Sequence, residues 1–173
     1  MIGPPDRETY SVFPYRKDYE NGRTNNGGID LTLEPNRIDE IHEFNGTPKL
    51  KQAILELNTE NNLFMTLGFL IGKSEFENGA FFIGYLEFCI RPNSDSYSFK
   101  PELLDELFLS YISQEFGDTY VPAYQKIDWD LRTTSVHGSN PVPTYSVYFV
   151  PSEFETQVEV QLVPLIRFLQ SVS

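Results

Sequence analysis

The sequence predicts an α+β fold: an antiparallel sheet of about four to six strands with three to four helices, in a single domain over residues 1–173. Three observations predict it. Two pairs of segments, 63–72 with 80–91 and 124–136 with 145–150, have the length and apolar patterning of paired strands. Each pair is followed by a segment with apolar residues at helical spacing. The chain has 173 residues, 40% of them apolar and 14% aromatic, which is enough for one well-buried core and short for two. The order strand, strand, helix therefore occurs twice, at 63–116 and 124–170. That is the pattern of a duplicated unit, although no sequence likeness links the copies.

Residues 1–28 read as largely irregular. Pro14 cuts a short strand over 9–15, and Asn21-Gly22 and Asn25-Asn26-Gly27-Gly28 are loop signals. Residues 29–33 alternate as a short strand. Ile38 and Ile41 suggest a short helix within 35–44. Thr47 before Pro48 fits an N-cap with proline at the first helical position. Leu50, Ala53, Ile54 and Leu57 then follow the i, i+3, i+4, i+7 rule for about three turns, which Asn61-Asn62 ends. Asn78-Gly79 suits the turn of a hairpin joining 63–72 to 80–91. Both faces of that hairpin are apolar, which predicts a central place in the sheet.

Residues 101–116 form a strong helix whose expected buried stripe is Leu103, Leu104, Leu107, Phe108, Tyr111 and Ile112, with Gly117 as C-cap. Over 124–136, Ile127, Trp129 and Leu131 share one face, and Lys126, Asp128, Asp130 and Arg132 the other. Residues 145–150 are its antiparallel partner. Ser152 and Glu155 form a capping box, after which Phe154, Val158, Leu162, Ile166 and Leu169 keep helical spacing, with Pro164 as a kink. The rival is a strand over 158–162 and a short helix after Pro164; the capping box favours the kinked helix.

The formal charge is −12, from 13 basic and 25 acidic residues. Such a chain repels nucleic-acid phosphates and anionic membrane surfaces and steers toward a basic partner; equally, the charge serves solubility. A single cysteine, Cys89, allows no internal disulfide. With no signal-peptide pattern at residues 1–6, it points to the cytoplasm. The apolar runs are too short to span a bilayer as helices. No phosphate-loop, dinucleotide or nucleophile-elbow motif is present. His42 and His137 lack companions at metal-ligand spacing. The expectation is therefore no catalytic set, no metal and no cofactor. Asp128 and Asp130, at i and i+2, point to the same side of a strand and could hold a cation; with Lys126 and Arg132 beside them, they also read as a solvated polar face.

The strongest functional hint is acidic. Glu102, Asp105, Glu106 and Glu115 lie on the 101–116 helix, Asp118 follows it, and no Lys or Arg occurs between 101 and 125. Helical geometry puts Leu109 on one strip with Glu102 and Glu106, an apolar residue rimmed by charge. Alternatively, Leu109 packs on the 119–124 loop. Tyr120 and Tyr124 add contact surface nearby or join the core.

The acidic helix over 102–115 and the strand pair with Asp128 and Asp130 resemble the immunity proteins of bacterial toxin–immunity pairs. That resemblance implies a cytoplasmic α+β protein without catalytic residues. Its partner would be a toxin or effector domain with a basic surface, whose active cleft it plugs by electrostatically steered binding. The expected contact residues are Glu102, Asp105, Glu106, Leu109, Asp118, Asp128 and Asp130. Two other functions stay open: an enzyme with a dispersed site at His137, Asp128 and Asp130, and a structural subunit of a phage or secretion assembly that self-associates through the apolar hairpin edge.

Overall fold

The computed structural model describes residues 10–20, 22–24, 26–44, 48–77, 79–92, 94 and 97–172. In chain order the elements are β1 (Ser11–Phe13), the short strands β2 (Tyr19–Glu20) and β3 (Arg23–Thr24), α1 (Pro48–Leu57), β4 (Phe64–Phe76), β5 (Gly79–Ile90), α2 (Leu104–Phe116), α3 (Val121–Tyr124), β6 (Asp128–Val136), β7 (Val142–Tyr148) and α4 (Glu155–Ser171). Short 3-10 turns occupy Asn26–Gly28, Pro35–Glu40, His42–Phe44 and Pro101–Leu103.

The main sheet has the order β1-β6-β7-β5-β4, and β2 pairs with β3 apart from it. The pairs β4/β5, β5/β7 and β6/β7 are antiparallel. β1 runs parallel to β6, with Ser11 opposite Thr134 and Phe13 opposite Val136. The sheet is mixed, which corrects the expectation of a purely antiparallel one. No hairpin ties β1 to β6, so nothing local sets their relative direction. The two hairpins meet through their second strands, with Tyr85 opposite Tyr148 and Cys89 opposite Thr144. β5 is therefore interior, but β4 is an edge strand, against the central place expected for the whole hairpin.

One face of the sheet carries Phe64, Phe69, Leu86, Phe88, Ile90, Leu131, Tyr145 and Val147, all buried in one cluster with residues of α1, α2 and α4. Phe88 stacks on Tyr145 at 5.2 Å between ring centres and meets Trp129 edge-on at 6.3 Å. α4 crosses β5 at Gly84, where an added Cβ would lie 2.8 Å from Val158 Cγ1; only glycine admits so close an approach. On the other face Phe13, Met65, Leu67, Cys89 and Val136 form a smaller cluster. A bulge between Thr66 and Gly68 resets the register so that Gly68 faces Glu87. The second apolar side of β4 thus has a local cover from the N-terminal segment: Tyr15 N–H donates to Gly27 O at 2.9 Å, and Asn26 Nδ2 to Phe69 O.

Several local expectations need correction. Residues 29–33 are a turn, not a strand, because Asp30 Oδ1 accepts from Thr32 N at 2.9 Å and from Thr32 Oγ1 at 2.6 Å. Within 35–44 the helix is 3-10. α1 stops at Leu57, short of Asn61-Asn62. Buried Asn58 donates to Ile54 O and Thr66 Oγ1 and accepts from Thr66 N, tying the helix end to β4. In α2 the fully buried residues are Leu104, Phe108 and Ile112, while Leu103 and Leu107 are exposed. Tyr124 belongs to α3, and the strand begins at Asp128. Ser152 and Glu155 form no capping box: Phe154 is the N-cap without a side-chain cap, and Ser152 is held in a bridge to Phe82, with N–H to Phe82 O at 2.9 Å. α4 is nonetheless one helix with Pro164 inside it, not a strand over 158–162. The proposed N-cap Thr47, the turn residue Asn78 and Thr9 lie outside the described residues. Among the described residues no helix is long and apolar enough to cross a membrane.

Candidate protein-binding groove

α2 is amphipathic through Leu104, Phe108 and Ile112, which seat it on the sheet. This phase turns Asp105 and Leu109, a further i, i+4 pair, to the flank of the helix. Gly117, at φ +96°, ends the helix, and its N–H bonds Ser113 O at 2.9 Å. The chain then turns back through α3, where Pro122 stands in the first turn. Ile127 N–H donates to Tyr124 O at 3.1 Å, which sets the entry into β6. The Tyr124 ring lies edge-on against Phe108 at 5.7 Å, and its hydroxyl donates to Val160 O at 3.4 Å. Burial pushes this phenol above its ordinary pKa.

Between the flank of α2 and the start of β6 runs a groove of about 590 Å³. Asp105, Glu106 and Leu109 form one wall. Tyr124, Trp129 and Asp128 lie across from them, and Lys126 is the one cation of the lining. Leu109 is half-buried and shares the groove lining with Tyr124. Asp105 is buried, and it sits in the first turn of α2, where a negative charge is favoured. Three carboxylates, two aromatic rings and one leucine make a surface suited to a side chain that is apolar along its stem and cationic at its tip. Lys and Arg have that form.

Of the seven expected contact residues, the fold unites Asp105, Glu106, Leu109 and Asp128 on this groove. It leaves the other three outside. Glu102 is exposed in the 3-10 turn before α2. Asp118 accepts from Ser113 Oγ at the far end of the helix. Asp130 is exposed further along β6. Trp129, which shares a face of β6 with Ile127 and Leu131, packs on the core and lines the groove as well.

His137 does not join Asp128 and Asp130. It follows Val136, which closes the opposite end of β6 about 26 Å from Asp128 over eight extended steps, and its Nε2 lies 3.0 Å from Asp30 Oδ2. The residues named for a dispersed active site are therefore not in one place. Cys89 is fully buried, and burial raises its thiol pKa, so it is held as the thiol. Among the described residues, no group of three or more His, Cys, Asp or Glu side chains could hold a metal ion. No family model matches the sequence, and no curated protein or solved structure matches the chain, so the chemistry of the groove carries the functional reading.

Proposed function

We propose that the chain is an acidic protein-binding module whose α2–β6 groove receives a basic, partly apolar segment of a partner, and that it serves in the cytoplasm as an immunity protein occluding a toxin. The observation behind this reading is the convergence of Asp105, Glu106 and Leu109 with Asp128, Tyr124 and Trp129 on one groove. The net charge of −12 adds long-range attraction for a basic partner.

The test compares Glu106→Lys combined with Leu109→Ala against Glu102→Lys, which changes an acid outside the groove. Each protein is used as bait at low and moderate salt. The partner recovered by the wild type is then purified for titration and expressed alone to score its toxicity. The groove variant is expected to weaken binding at least about tenfold, or about 1.4 kcal/mol. Co-expression of the wild type is expected to relieve toxicity, while the groove variant fails to. Glu102→Lys should change mainly the association rate and its salt dependence. Equal losses from both variants would assign binding to net charge and remove the groove from the mechanism. A partner that is harmless when expressed alone would remove the immunity role.

A further inference from the structure

A second pocket lies on the sheet face away from the helices, built around a carboxylate inside the sheet. Glu87 is 6% exposed in the middle of β5. Its Oε1 takes three donors: Tyr15 Oη at 3.2 Å, Arg132 Nη2, and Ser146 Oγ at 3.5 Å. Arg132 Nη2 also donates to Ser146 Oγ at 2.7 Å. Glu87 Oε2 takes no hydrogen bond from any described residue, and neither does the Tyr85 hydroxyl. Both atoms look onto the space above Gly68. A Cβ built there would lie 3.4 Å from Glu87 Oε2 and 3.6 Å from Tyr85 Oη. The missing side chain leaves an open pocket of about 220 Å³.

Arg16 stands at its rim and makes no ion pair among the described residues. One acid and two arginines line the pocket. It is thus locally cationic in a chain of net charge −12. Tyr85 also lines an adjoining groove of about 520 Å³, whose walls include Leu70, Ile83 and Tyr148. An open acceptor, an open cation and an apolar shelf therefore lie side by side. Such a small set of polar groups beside apolar walls is the usual form of a small-molecule site.

We propose that this pocket binds a free α-amino acid with an apolar side chain. The ammonium group donates to Glu87 Oε2 and Tyr85 Oη. The carboxylate meets the Arg16 guanidinium, and the side chain lies on Leu70, Ile83 and Tyr148. A zwitterion satisfies both charges at once, whereas an anion alone would face Glu87 and a cation alone would face Arg16 and Arg132. The polar end of the site is separate from the α2–β6 groove, because neither Glu87 nor Arg16 lines that groove, while Lys126 and Asp128 stand between the groove and the apolar shelf and line both.

The experiment is a calorimetric titration of the full chain with L-leucine, L-phenylalanine and L-methionine, each run beside its N-acetyl and amide forms, with backbone amide shifts recorded in parallel. At least one free amino acid is expected to bind, with shifts at Gly68, Tyr85 and Glu87. Blocking either end should weaken it tenfold or more. Arg16→Gln changes an exposed side chain and leaves the fold intact; it should weaken the free acid tenfold and leave the weak binding of the amide unchanged. Glu87→Gln keeps the Oε1 acceptor and should do the reverse, with the N-acetyl form as its control. No binding at millimolar concentration would overturn the proposal. So would equal binding of the free, N-acetyl and amide forms, which would reduce the site to its apolar shelf.

Discussion

On the helical face of the sheet, Leu86, Phe88, Tyr145 and Val147 are fully buried by apolar neighbours from three helices. One residue along, on the opposite face, Glu87, Thr144 and Ser146 are buried as deeply, and each is polar. The same two strands supply both rows, because alternate side chains point to opposite sides. What differs is the cover. Helices offer broad apolar surfaces, while the N-terminal segment is a thin layer that brings Tyr15 and leaves a gap over Gly68. The first face obtains stability from area removed from water. The second depends on hydrogen bonds being complete, since a buried polar group without partners costs more than its bond gains.

The two faces should fail differently when disturbed. Phe88→Ala removes a ring packed against Phe64, Trp129 and Tyr145 and should cost about 3–5 kcal/mol, read as a lower urea midpoint at unchanged slope. On the other face, Arg132→Gln takes the cation from a buried carboxylate. Arg132 is partly exposed, so the cost should fall near the low end for a broken buried pair, about 2–3 kcal/mol at neutral pH.

That second loss should be pH-dependent, and the first should not. Burial holds the Glu87 carboxyl above its ordinary value of 4.5, with Arg132 and Tyr15 working against the rise. The folded chain then holds this proton more tightly than the unfolded one. The stabilisation is fully present below the ordinary value and is lost as pH rises through the folded value. Urea midpoints measured from about pH 4 to 8 should show this decline in the wild type. Glu87→Gln should remove its share of the decline, and Arg132→Gln should extend the window to higher pH. A Glu87→Gln profile parallel to the wild type would show that burial does not raise the Glu87 pKa.

The smallest expected effect compares two glycines. Gly84→Ala puts a methyl 2.8 Å from Val158 Cγ1 and 3.1 Å from Leu70 O, and should cost about 1–3 kcal/mol. Combining it with Val158→Ala should recover part of that loss, measured as a coupling energy in a double-mutant cycle. Gly68→Ala meets its nearest atom at 3.4 Å and should cost less than Gly84→Ala. A Gly68→Ala loss as large as that of Gly84→Ala would mean that the pocketed face is packed as tightly as the helical one.

The parts legible in the sequence are those with long, one-phase patterns. α1 and both hairpins follow from apolar spacing, and Gly117 follows from its place after α2; the sequence favours the helix of α4 over a strand at 158–162 through a capping box that does not form. The stripe expected for α2 is too wide, because Leu103, Leu104, Leu107 and Phe108 offer two adjacent stripes and tertiary packing buries only the one through Leu104 and Phe108. β1 has three residues and a partner more than a hundred positions away, so no local pattern announces its parallel pairing. The Ser152–Glu155 pattern was overridden by a backbone bridge to Phe82. For the groove, helix geometry groups Glu106 with Leu109 but places Glu102 beside them, where the structure has Asp105. The approach of Asp128 and Tyr124 depends on how 117–127 turns. Glu87 had a signal that alternation counting passes over: it is the one charge in Gly79–Ile90, and a lone charge within a two-sided apolar strand implies a partner from elsewhere in the fold.

The three donors to Glu87 come from positions 15, 132 and 146. A chain made from its first residue onward therefore holds β5 for about sixty residues of synthesis before Ser146 exists, some seconds at typical elongation rates. During that interval the hairpin of β4 and β5 carries a solvated carboxylate on a face that has no β7 beside it. The charge keeps the otherwise uncharged β5 in water. It becomes an interior group only when the last strand arrives, so one glutamate acts first as a solubilising charge and later as the anchor of a hydrogen-bonded cluster.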